Sequence, residues 1–226
     1  MSLKITIEPS IKTLFPEMEI GYLQAKVNVH PSSEELKTRI QSACNILAES
    51  VTPESIRKIK PVESLKNAYR KLGKDPSRYR PSAESLLRRI ASQKSLYYVN
   101  NVVDVLNLVS IQTGFSICGY DTDKINGEIL LGTGYENEPY EGIGRGVLNI
   151  ENLPVFRDAK GAFGTPTSDS VRTMVTDSMK NFLMIFPAFT EGLDLNHALN
   201  LSSEYLQKYA KAADIYFEII KLNVTE

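Results

Sequence analysis

The chain has 226 residues, 42% hydrophobic and 23% charged, which is enough apolar material for one well-filled domain or two closely fused lobes and too much for a disordered chain. No run approaches the roughly 18 apolar residues of a membrane span, and the opening MSLKITIEPS lacks the apolar core of a signal peptide, so no membrane partner is expected. The formal net charge of −1 conceals a polarity: from Arg57 to Lys94, 12 Lys or Arg residues face only Glu63, Asp75 and Glu84, a local balance of +9 that leaves −10 for the rest.

The first predicted elements are strands at Lys4–Ile7 and Ile20–Val27. Pro31-Ser32-Ser33 then caps a helix from about Glu34 to Glu49, with Leu36, Ile40, Ala43 and Leu47 at helical spacing. Thr52-Pro53-Glu54 opens a short helical turn, and Val62–Leu72 reads as a helix closed by Gly73. Gly73 to Ser82 is an ordered connector, because Pro76 and Pro81 restrict their own and the preceding backbone positions. The helix that follows carries Ala83, Leu86, Leu87 and Ile90 on one stripe and leaves Arg88 and Arg89 toward solvent.

Val99–Thr113 is the most apolar helix candidate. Its exceptions, Asn100, Asp104 and Asn107, fall on one face, and a polar stripe on a buried helix must be hydrogen-bonded or cost about 1–3 kcal/mol per group. From Gly114 to Gly164, which hold ten of the 13 glycines, the chain turns to short β-like runs at Phe115–Tyr120, Glu128–Leu131, Val147–Ile150 and Leu153–Phe156. Gly142-Ile143-Gly144-Arg145-Gly146 is a hairpin turn rather than a nucleotide-binding fingerprint. Gly161–Thr173 reads as a glycine- and hydroxyl-rich loop. A buried strand follows at Phe182–Phe186, then a helix at Asn196–Lys211 and a strand at Ile215–Leu222. These elements predict a mixed α/β (α+β) fold, a central mixed sheet flanked by helices. We expect a single unit with an α-rich lobe over about 30–113 and a sheet-rich lobe over about 114–226, completed by strands within 3–28.

Two histidines, His30 and His197, and two cysteines, Cys44 and Cys118, fall at no ligand spacing. No His- or Cys-based metal site and no cofactor is expected, a carboxylate magnesium site stays open, and the low cysteine count suits a reducing cytoplasm. The basic segment is either an ordinary solvated helical surface or a face that meets phosphate, with Arg78, Arg80, Arg88 and Arg89 as its nucleic-acid contacts in the second case.

The runs Asn100-Asn101-Val102-Val103-Asp104-Val105-Leu106-Asn107 and Gly114–Ile125, with Gly119-Tyr120-Asp121-Thr122-Asp123-Lys124 at their end, resemble the proofreading domain of the phenylalanyl-tRNA synthetase β subunit. The preceding Gly73-Lys74-Asp75-Pro76-Ser77-Arg78-Tyr79-Arg80-Pro81-Ser82 run, continuing to Arg89, is similar to free-standing bacterial members of that family. The resemblance implies a mixed α/β unit whose pocket accepts the aminoacyl end of a mischarged tRNA and hydrolyses its ester, with Asn100, Asp104, Asn107 and Asp121 shaping that region. Two departures stand out: Cys118 occupies the place of a family His, and Gly164-Thr165-Pro166-Thr167 that of a Gly-Gly-Glu segment. Nothing resembles an ATP-binding synthetase core.

On this reading tRNA or aminoacyl-tRNA is the partner, Asp104 and Arg172 carry catalysis, and Asn100, Asn107, Asp121, Thr165 and Thr167 bind substrate in a pocket between the helix and the Gly161–Thr173 loop. Bland readings stand beside these: Asp104 as a carboxylate satisfied by backbone N–H groups or Arg80, and Asp121 with Asp123 as turn caps. The alternative functions are a non-catalytic RNA-binding module and a protein that binds an amino acid or nucleoside.

Overall fold

The computed structural model describes residues 3–222. Strand β1 (Ile5–Ile7) leads through helix α1 (Pro9–Leu14), which Pro9 opens, into strand β2 (Glu19–Lys26). Five helices follow. The Ser33 side chain accepts the Leu36 N–H and opens α2 (Glu34–Ala48), and a reciprocal Thr52/Ser55 capping box opens α3 (Pro53–Arg57). Next come α4 (Lys60–Lys71), α5 (Ser82–Ala91) and α6 (Asn101–Thr113), the last closed by Gly114 in the left-handed region at φ +80°. The strands β3 (Cys118–Asp121), β4 (Ile129–Thr133), β5 (Glu141–Gly142), β6 (Gly146–Val147), β7 (Pro154–Asp158), β8 (Gly161–Gly164) and β9 (Asn181–Ala188) precede α7 (Leu195–Ala210) and β10 (Ala213–Lys221).

The strands form a mixed sheet, β1-β4-β7-β8, an antiparallel sheet, β10-β2-β9-β3, and the small β5-β6 hairpin. In the mixed sheet only the β1–β4 pair is parallel. The antiparallel sheet is the middle layer, and β9 shows why. Phe182, Met184 and Phe186 pack into one core with α2, α5, α6 and α7, whereas Leu183 and Ile185 pack into a second core with the mixed sheet. A strand covered on both faces needs apolar residues at every position, so NFLMIFPA reads as a continuous hydrophobic run. Each of those fully buried side chains contributes about 1.5–3 kcal/mol of transfer free energy. Gly21 on β2 serves the same packing, because a Cβ there would press on Leu195 and Leu199 of α7. Elements α7 and β9, from the second half of the chain, complete the helical core begun by α2, α5 and α6, while Leu65, Ala68 and Tyr69 of α4 join the core against the mixed sheet.

The expected elements change in several places, among them helix α1, where none is expected, and β3, which starts at Cys118 rather than Phe115. Helix α6 starts after Asn100, because that side chain accepts the Val103 N–H as an N-cap. The strand expected at Val147–Ile150 stops at Val147, which is 91% exposed, and the chain then turns so that Ile150 enters the core. The front of the expected Gly161–Thr173 loop is strand β8, paired with β7. Among the described residues no helix is long and apolar enough to cross a membrane.

Candidate functional site

The polar face of α6 is satisfied mostly by the chain around it. The Asn100 side chain caps the helix at 2.9 Å from Val103 N. The Asp104 carboxylate, on a residue 1% exposed, accepts the Val99 N–H at 3.0 Å and the Ser32 hydroxyl at 2.5 Å. Burial lifts this carboxyl above the ordinary range, while the Ser32 and Val99 bonds and the Lys37 charge pull it back. Asn107 is half-buried. The amide that knits the region together is Asn101, which the sequence reading passed over. It accepts the His30 N–H and donates to Asn28 O and Tyr209 O, tying the helix to the segment after β2 and to the end of α7.

A second polar cluster lies in the core against the mixed sheet. Gly119 on β3 donates its N–H to Asp169 Oδ2 at 3.0 Å, while Asp169 Oδ1 is closed off from solvent without a hydrogen-bond partner. Asp169 is half-buried as a residue, yet its carboxylate faces inward, beside the Cys118 thiol and the Tyr120 hydroxyl. Burial pushes the Asp169 carboxyl up to about 7, against the Gly119 N–H, Tyr120 and Cys118. Burial and the Asp169 carboxylate hold the Cys118 thiol well above its ordinary range, so it stays protonated and is a poor nucleophile. Tyr120 is fully buried, and its hydroxyl has no partner. It lies so close to Gly164 that a Cβ there would collide with it, which gives that glycine a packing reason.

Hydroxyls ring the cluster. Tyr69 of α4 meets Thr167 at 2.9 Å, Thr167 N donates to Thr165 Oγ1 at 3.4 Å, and Tyr140 donates to Ser168 O at 2.6 Å. The loop is moored to α5 by Ser82 N donating to Pro166 O. Thr165 and Thr167 are thus brought together with Asp169.

The structure does not join the expected catalytic pair. Among the described residues no hydrogen bond or ion pair links Asp104 to Arg172. Arg172 forks onto Asp158 at 2.9 and 3.0 Å and donates to Gly161 O, so its charge is spent on holding β7 and β8 to the following turn. Asp121 accepts the Asp123 N–H as a turn cap and lies 3.4 Å from Lys124. Of the four arginines expected to meet nucleic acid, Arg80 and Arg88 line one cleft with Arg57, Lys58, Lys66 and Arg70. Arg78 is exposed elsewhere, and Arg89 lies over the Tyr97 ring at 3.9 Å.

Asp169 was legible in part. It is the carboxylate in the small-residue run Thr165–Ser170, within the glycine- and hydroxyl-rich loop, but nothing local separates it from an ordinary turn acid. Tyr69, Tyr120 and Tyr140 carry no local signal that separates them from ordinary core aromatics.

Fold and cluster together define a mixed α/β domain that encloses a carboxylate whose pKa burial raises to about 7. Residues 64–220 match the model of the B3/4 domain, and with more than half of its length matched the chain belongs to the B3/4 domain family. Among solved structures, an N-terminal fragment of the phenylalanyl-tRNA synthetase β subunit from Pyrococcus horikoshii is similar at 12% identity and a TM-score of 0.49, over 95% of this chain and 50% of that one. The chain therefore spans about half the length of that fragment. No curated protein matches the sequence.

Proposed function

We propose that this B3/4-domain protein receives the aminoacylated 3′ end of a tRNA in the cytoplasm and hydrolyses the ester in trans, with Asp169 as the acid–base group. The observation that carries the reading is a carboxyl pushed up to about 7 in a cluster of neutral hydroxyls. Such a group is ionised in a large fraction of molecules at neutral pH, yet acidic enough to give its proton back. In the proposed reaction Asp169 takes a proton from water as the water oxygen attacks the ester carbon. The carbon–oxygen bond to the ribose then breaks, and the ribose oxygen recovers the proton from Asp169. The Tyr120 phenol, held protonated by burial and the Asp169 charge, supplies a donor for the carbonyl oxygen, and Thr165 and Thr167 orient the acyl end.

The resemblance of Asn100–Asn107 and Gly114–Ile125 to the synthetase proofreading domain and membership of the B3/4 family support the tRNA partner. The test is deacylation of a panel of mischarged tRNAs by the full chain. Asp169→Asn is expected to lower the rate by about 100-fold or more, the scale of general acid–base contributions. Absence of turnover on every ester, with tRNA still bound, would replace hydrolysis by recognition. That second reading has its own observation, since Asp169 Oδ1 and the Tyr120 hydroxyl are both closed from solvent.

A further inference from the structure

The connector and helices between Arg57 and Arg88 converge on a cleft of about 580 Å³. Six cations face it, Arg57, Lys58, Lys66, Arg70, Arg80 and Arg88, against three carboxylates, Glu54, Glu63 and Glu84, an excess of three positive charges. At the floor sits Glu84, 1% exposed, with Lys66 Nζ at 2.8 Å, Arg88 Nε at 2.8 Å and Arg80 Nε at 3.9 Å. This carboxylate fixes three cations in place on two helices and the connector. Arg57, Lys58 and Arg70 are exposed at the walls and make no ion pair among the described residues.

Folding gains nothing from bringing these unpaired cations together, since like charges repel and each would be better hydrated apart. Their convergence on a prearranged floor suits a polyanion. The remaining lining residues, Asn67 and Ser77, are polar, so no aromatic or aliphatic wall is present on which a base or an acyl chain could rest. Small-molecule pockets are mostly apolar, and this one is not. Arginine forks match phosphate oxygens two at a time.

We propose that the α3–α4–α5 cleft is a binding site for adjacent phosphate groups, read without their bases, whether these come from a nucleic-acid backbone or from a free oligophosphate. The cleft shares no lining residue with the Asp169 cluster, and its binding does not depend on ester hydrolysis.

The probe is inorganic tripolyphosphate, titrated calorimetrically into the full chain at low salt, with labelled tRNA followed by anisotropy in parallel. One equivalent of tripolyphosphate is expected to bind, with affinity that falls steeply as salt rises. The double variant Arg57→Ala/Arg70→Ala should weaken it at least about tenfold, the effect of one lost charge-assisted contact. Both side chains are exposed, so a melting curve should confirm an intact fold. Lys4→Ala/Lys26→Ala, which removes two exposed cations elsewhere, should leave binding unchanged. If tripolyphosphate displaces tRNA and the double variant weakens both, the phosphates are those of the nucleic acid. Tripolyphosphate binding that tRNA does not compete for assigns the site to a free oligophosphate. Lack of tripolyphosphate binding, or equal affinity in the double variant and the parent, overturns the proposal. Deacylation reads Asp169 and this titration reads Arg57 and Arg70, so either can fail alone.

Discussion

Asp169 and Glu84 are both carboxylates closed off inside the same chain, and their chemistry diverges because of what was buried with them. Around Glu84 burial opposes ionisation, but Lys66 and Arg88 outweigh it and hold the carboxyl below its ordinary range. Around Asp169 the neighbours are a backbone N–H, a phenol and a thiol, all neutral, and burial carries the carboxyl up to about 7. Burial beside cations thus gives a permanent anion at the floor of the cleft, and full enclosure among neutral groups gives a carboxyl raised toward neutrality. The first suits a scaffold for cations at a surface cleft, and the second suits proton transfer in an enclosed site.

The largest expected effect breaks the Glu84 half. Glu84→Gln leaves Lys66, itself 7% exposed, buried without its counter-charge. Removal of one partner from a buried pair costs about 3–5 kcal/mol, and urea denaturation should show that loss. Less than about 1 kcal/mol would mean that water already screens the pair, as at a surface salt bridge.

Next in size is the pH dependence of Asp169. Its folded pKa lies above its unfolded value, so the folded state holds the proton while the unfolded state has released it. The resulting stability is full below the unfolded pKa and is lost as pH rises toward 7. From pH 5 to pH 8 the loss attributable to this group is about 3 kcal/mol, two pKa units' worth. Glu84 runs the other way: its contribution is present above the unfolded pKa and lost as pH falls through the depressed folded value. Urea midpoints for the parent and Asp169→Asn at pH 5 and pH 8 check this. The variant should show the flatter profile, and identical slopes would place the Asp169 carboxylate in water.

The difference between the two carboxylates was only half visible in the residues. The +9 balance between Arg57 and Lys94 announced a cationic surface, and the i, i+4 spacing of Glu84 to Arg88 is local. The partnership of Lys66 with Glu84 joins two helices, and no local pattern carries it. Asp169 is harder still, because its environment is made by Gly119 and Tyr120 from a strand some 50 positions away. What marks it is the absence of cations around it, and an absence in space leaves no trace along a chain. Helix α6 shows the opposite case. Polar residues on an apolar helix announced buried hydrogen bonds, and the Asp104 bonds are there. Their partners Ser32 and Val99 make Asp104 a brace between the start of α2 and the start of α6, whereas spacing alone suggested a ligand-facing stripe. The mixed fold was legible from β9 and the glycine-dense strands, since both follow from local patterning.

Asp104 supplies the third test, because it stands between the two extremes. It is as buried as Glu84, yet it has two hydrogen-bond donors rather than an adjacent cation, and Lys37 acts on it only through a weak attraction. Asp104→Asn preserves the shape and keeps an oxygen for the Val99 N–H. The Ser32 hydroxyl can rotate to accept from the new amide, so both partners stay satisfied. The expected cost is about 1–3 kcal/mol, because the second amide N–H is left without an acceptor in this buried site. Asp104→Leu satisfies neither Ser32 nor Val99 and should cost about 2–6 kcal/mol, one buried penalty for each. The same Asn variant separates structure from chemistry. If Asp104 is a brace, Asp104→Asn keeps its deacylation rate within about twofold of the parent while Asp169→Asn loses it, a contrast of a few tenths against roughly 3 kcal/mol of barrier. A loss of turnover in Asp104→Asn without a matching loss of stability would return the catalytic role to α6 and reverse the assignment of the two carboxylates.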